Sequence, residues 1–123
     1  MYRKGNESGG FKKSDCNEED LHAFKELVHI LKPTVIICLG RITFELVLKS
    51  FDLPRIKGKF RKIVEDNRNP SIIYHTENKN IAIFPVYHAG SFGVLNRNRG
   101  TQNTGLELME EDWLSIKEYL DNN

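Results

Sequence analysis

Apolar side chains recur along this chain in two rhythms, one spaced by threes and fours and one unbroken over short runs. Leu21, Phe24, Val28 and Leu31 follow the first, with Leu27 beside them. That spacing places them on one stripe of a helix. Asn17 suits the N-cap, because its side-chain oxygen accepts a backbone N–H that the first turn leaves free. Glu18, Glu19 and Asp20 then favour the positive end of the helix dipole. Pro33 ends the helix, since it has no N–H to continue the ladder. Thr34 to Leu39 follows the second rhythm and is rich in β-branched residues. It predicts a strand buried on both faces, the kind found in parallel sheets. After Gly40, the positions Phe44, Val47, Leu48 and Phe51 mark a second amphipathic helix. Strand, glycine turn and helix together open an α/β unit.

The rest of the chain carries weaker signals. Lys59 to Val64 predicts a short edge strand. Ser71 to His75 and Ile81 to Tyr87 predict two strands, joined as a hairpin by the polar turn Glu77-Asn78-Lys79-Asn80. Pro85 fits the second of these poorly, because proline donates nothing to a ladder. Leu106 to Leu120 predicts a final helix with Met109, Trp113, Ile116 and Leu120 as its buried stripe. Residues 1–17 read as a loop or flexible arm and 18–123 as a single α/β domain.

Composition narrows the class. The chain has 123 residues, 39% hydrophobic and 28% charged, with a net charge of +1. A modest core is affordable, and a polybasic, histone-like protein is excluded, although local patches can still meet nucleic acid. Cys16 and Cys38 have no CxxC spacing, which argues against a disulfide scaffold or a four-cysteine metal site within the chain. No apolar run approaches the roughly 18 residues of a membrane span, and the N-terminus lacks a signal-peptide core. The expectation is a reduced, cytoplasmic protein with no membrane partner. No P-loop, GxGxxG, GxSxG or HExxH motif occurs, so neither a cofactor nor a metal is expected.

Candidate chemistry gathers at two strand ends. Open α/β sheets bind ligands beyond the carboxyl ends of their strands. One strand here ends at Gly40, before a helix whose N-terminus offers backbone donors, and another ends at His88. If both strands run parallel in one sheet, Gly40 and His88 share a rim. His88 could then donate a hydrogen bond to developing negative charge, or it could simply cap a strand. His22 and His29 read as a solvated helix face, and His75 as a turn residue. Arg55, Lys57, Lys59, Arg61 and Lys62 could meet phosphates or form a solvated surface. Arg97 and Arg99 could add to them, with Phe92 or Leu95 as an apolar wedge between bases. Ordinary packing is the alternative for those two apolar residues.

The segment Leu31-Lys32-Pro33-Thr34-Val35-Ile36-Ile37-Cys38-Leu39-Gly40-Arg41 resembles the LKPxVIxxLGR segment of the uracil-DNA glycosylase superfamily. Phe84-Pro85-Val86-Tyr87-His88 is similar to the strand carrying that family's second catalytic motif, and the helix around Trp113 also fits. The likeness covers residues 18–121. It implies a three-layer sandwich of helices around a short, mostly parallel sheet. It also implies base-excision repair of uracil-containing or otherwise damaged DNA, by cleaving the N-glycosidic bond of a flipped base. His88 would be the catalytic histidine. Gly40, Arg41, Lys57, Lys59, Gly90, Ser91, Phe92, Leu95, Asn96, Arg97 and Arg99 would contact DNA. The chain departs from the pattern after His88, where Ala89-Gly90-Ser91 replaces the family's Pro-Ser.

The family's first motif, with its water-positioning group, would lie upstream of everything seen here. The chain therefore reads as the C-terminal half of such a domain, lacking the N-terminal strand or strands. A homodimer or a missing N-terminal fragment is then the expected partner, because a sheet without that strand leaves an apolar edge. The alternatives to a glycosylase are a non-catalytic nucleic-acid-binding module and a structural fragment.

Overall fold

A computed structural model describes residues 16–88, 97 and 105–123. The order of elements is α1 (Glu18–Leu31), β1 (Val35–Leu39), α2 (Arg41–Ser50), α3 (Phe60–Asp66), β2 (Ile73–His75), β3 (Asn80–Val86) and α4 (Gly105–Asp121). The proposed arm lies outside the described residues, apart from Cys16 and Asn17.

Local chemistry sets α1 as expected. The Asn17 side chain accepts from the Asp20 N–H at 2.9 Å, and the Asp20 carboxylate accepts from the Asn17 N–H at 3.0 Å. This reciprocal box satisfies two donors of the helix start. At the other end Lys32 turns left-handed (φ 49°) ahead of Pro33, and its carbonyl accepts from Lys79 Nζ at 3.0 Å.

The three strands lie in the order β1-β3-β2. β1 runs parallel to β3, with Ile37 opposite Phe84, and β2 runs antiparallel, with Tyr74 opposite Ile81. The sheet is therefore mixed, not mostly parallel. The hairpin is present: Thr76 N–H donates to the Lys79 carbonyl at 2.9 Å and closes the turn. Pro85 sits in the middle strand without loss. Ala82 N–H points to β1 and Ile83 N–H to the β2 side, where they donate to the Thr34 and Ile72 carbonyls. By that alternation the Pro85 nitrogen faces the β2 side, beyond the end of β2, where no partner is needed.

Alternate residues of β3 divide the core between two faces. Ile81 and Ile83 join Val28, Phe44, Val47 and Ile63 beneath α1, α2 and α3. Ala82, Phe84 and Val86 join Ile116 beneath α4, where Phe84 and Tyr119 meet edge-on at 5.6 Å. Aromatic rings tie the first layer to the sheet. Phe51 stacks flat on Tyr74 at 3.9 Å, and the Tyr74 hydroxyl shares a 2.8 Å hydrogen bond with His29 Nε2. His29 lies on the exposed face expected of it and also has a structural partner there.

Three sequence expectations are corrected. Residues 60–66 are helical because Phe60, Ile63 and Val64, spaced by three and four, all point into the core. β1 is only partly buried, with Ile36 packed on one face and Val35 and Ile37 on the other, because among the described residues it forms one edge of the sheet. Leu27 and Leu31 on α1, and Trp113 and Leu120 on α4, are exposed. The narrow sheet covers only part of each apolar stripe. On α4 the buried face runs instead through Leu108, Met109, Asp112 and Ile116.

Candidate functional site

Two strand ends and one helix start build the site. β1 ends at Leu39, and Gly40 donates its N–H to the Val86 carbonyl of β3 at 2.8 Å. That bond extends the parallel pairing by one residue and fixes the turn into α2. Gly40 adopts φ 88° and ψ 162°, a conformation open to glycine. There is also no room for a side chain. A Cβ on Gly40 would lie 2.5 Å from His88 Nε2 and 2.9 Å from its Cδ2. The imidazole of His88 therefore lies directly over the Gly40 backbone. The shared rim expected from the sequence is present.

Below this contact opens a pocket of about 820 Å³. Leu21 and Phe24 of α1, Leu39 of β1 and Ile42, Thr43 and Val47 of α2 form much of its wall, with Gly40, Arg41 and His88 also lining it. No side chain caps the start of α2. The wall from α1 was not foreseen, since a residue lining a pocket and one lining a core follow the same spacing. Asp20 also borders the pocket, and its carboxylate serves the helix cap.

The surroundings carry positive charge. Arg41 Nε lies 3.6 Å from Glu45 Oε2, and Arg55 Nε lies 3.7 Å from the same oxygen, so Glu45 links the pocket rim to the following loop. Lys57 and Lys59 are exposed on that loop, which passes Gly58 at φ 116°. Lys59 immediately precedes Phe60, whose ring packs edge-on against Tyr87 at 4.9 Å, so it lies at the His88 end of the sheet. Burial pushes the Tyr87 phenol above its ordinary value, against the opposing pull of Arg97, Arg61 and Arg41. Lys62 instead pairs with Asp66 at 2.8 Å.

Arg97 does not belong to a DNA-contacting set. It has no exposed surface, its Nε and Nη2 donate to Asp112 at 2.7 and 3.1 Å, and its Nη1 donates to Glu65 at 3.2 Å. Arg68 donates to the same Asp112 from the other side at 2.9 and 3.0 Å. Burial lowers the Arg97 pKa, but the hydrogen bonds and charges of Asp112 and Glu65 outweigh it, so the guanidinium is held more firmly protonated than usual. A cation enclosed by two carboxylates is not presented to a phosphate. Gly90, Ser91, Phe92, Leu95, Asn96 and Arg99 lie outside the described residues, as does the proposed wedge.

Cys38 is fully buried beneath this region, and burial pushes its thiol up to about 12. It is a core residue and not a nucleophile. Among the described residues, no group of three His, Cys, Asp or Glu side chains could hold a metal ion, and no helix is long and apolar enough to cross a membrane. In comparisons with known proteins, no family model, curated protein or solved structure matches this chain.

Proposed function

We propose that this chain is a uracil-DNA glycosylase-like base-excision protein in which the pocket receives a flipped base and His88 assists its departure. The observation that carries the reading is the His88 imidazole lying over Gly40 at the mouth of a largely apolar pocket, on the carboxyl rim of two parallel strands. A planar base suits such walls, and about 820 Å³ is within the range of small-molecule sites. When the N-glycosidic bond breaks, the base leaves with the bonding pair, water supplies the hydroxyl that ends on the sugar carbon, and the water's other proton passes through solvent to the base anion. An imidazole N–H aimed at the leaving base stabilises that charge. Lys57, Lys59 and Arg61 would meet the phosphates on either side.

The test is release of uracil from a labelled oligonucleotide by the purified chain, beside a His88→Ala variant. Release is expected from the parent, with a fall of roughly 10²- to 10³-fold in the variant, the usual cost of one such donor. A folded parent that releases nothing overturns the catalytic reading. A second reading then gains: a binding module without catalysis, favoured by Lys57 and Lys59 standing exposed beside the rim. It predicts DNA binding that weakens steeply with salt and with Lys57→Ala.

A further inference from the structure

The side of the molecule formed by β1 and α4 is apolar beyond what the described residues cover. On α4, Glu111 forms the flank that meets Arg68, at the turn leading into β2. The other flank lies across the buried stripe of Met109 and Ile116, which packs on the sheet face that also carries Val35 and Ile37. It carries Leu106, Trp113 and Leu120, spaced by sevens and 60%, 42% and 44% exposed. Beside it, Val35 and Ile37 of β1 are half-buried, and Leu39 is 43% exposed. Among the described residues, β1 pairs on one side only. It holds no proline and no charge, the usual guards of an open edge, whereas the opposite edge strand β2 is only three residues long.

We infer that this flank is where a second copy of the chain docks, through a two-fold axis that sets α4 antiparallel to its partner and β1 edge to edge with its partner. The stripe is its own complement under that operation. With Trp113 at the centre, Leu106 meets Leu120 of the partner subunit and Leu120 meets the partner's Leu106. Charge fits the same register. Glu110 and Lys117, both exposed, lie on either side of Trp113 along this flank. Antiparallel packing places each Glu110 beside the partner's Lys117, giving two symmetric ion pairs. Lys117 holds Asp121 in the single chain at 2.7 Å, an exposed pair that exchanges at little cost. A second copy is favoured over another occupant because one surface supplies both halves of the contact.

Trp113 is the sole tryptophan, so its emission reads this contact directly. The full chain, followed by sedimentation and fluorescence across a dilution series, is expected to show twice 14.2 kDa at high concentration. Its emission should shift to longer wavelength as the dimer dissociates. Trp113→Glu should give a monomer with unchanged circular dichroism. Because that variant could be blamed on misfolding, surface charge provides the second arm. Glu110→Lys should raise the dimer Kd roughly tenfold, and adding Lys117→Glu should restore it. A monomer at every concentration overturns the inference, as does a dimer that none of these substitutions weakens.

Discussion

At Gly40 one methyl group would be felt more than anywhere else on the rim. The residue holds a conformation that costs an L-residue about 1–3 kcal/mol, and the histidine ring occupies the space a Cβ needs. Gly40→Ala is therefore expected to lower the unfolding free energy measured in urea by that order and to displace His88. Its ring resonances should move in NMR spectra, and any uracil release should fall with them. A Gly40→Ala protein with His88 resonances unchanged would show that the contact is incidental. This part of the site was readable from residue types, because a glycine after an apolar strand and a histidine after another name two ends of one sheet. Arg97 was not readable in that way. Its partners stand at positions 112 and 65, and nothing in a run of arginines and asparagines says which guanidinium turns inward.

The same arginine ties α3 to α4. Asp112 receives Arg97 and Arg68 together, and Glu65 of α3 closes the cluster. Removing Arg97 leaves buried Asp112 with Arg68 alone, and removing Asp112 leaves buried Arg97 with Glu65 alone, so each buried charge is left short of a counterion at a cost of up to about 3–5 kcal/mol. Arg97→Met and Asp112→Ala should each destabilise by that order in urea unfolding. The double variant should cost clearly less than the sum of the two, because the second change removes a charge already stranded. Additive losses would mean that the pair contributes little. Helix boundaries were more legible than helix surroundings. Asn17, Pro33 and Gly40 act within one turn of themselves, so α1 and α2 start and stop where the residues say. α3 was read as a strand because β-branched Ile63 and Val64 follow a basic run, yet the spacing from Phe60 is helical. Trp113 and Leu120 were assigned to the core because a stripe reports that a helix is amphipathic, not how wide the sheet beneath it is.

Stability against pH belongs to the folded chain as a single unit, and Cys38 gives it a direction. In the unfolded chain this thiol titrates near 9.0, and in the fold at about 12. Between those values the unfolded chain releases a proton that the folded chain keeps, so rising pH favours unfolding. The contribution of Cys38 is therefore complete below about pH 9 and lost progressively towards about pH 12. Unfolding midpoints measured across that window should fall more steeply for the parent than for Cys38→Ala. Parallel profiles would show that the thiol is not the group responsible. The division of apolar side chains between two faces of a sheet was visible in the alternation of β3. The narrowness of the sheet was not, since strand number depends on pairings between distant segments.

Pro85 gives the sheet a direction of growth. Its nitrogen faces the β2 side beyond the end of β2, so that part of the middle strand has no donor to offer a newcomer, and β2 itself ends after three residues. Among the described residues β1, with five residues against three in β2, is therefore the longer edge open to added pairing. A proline that looks like a defect in the central strand thus withholds a donor on the β2 side and leaves β1 as the longer edge open to pairing.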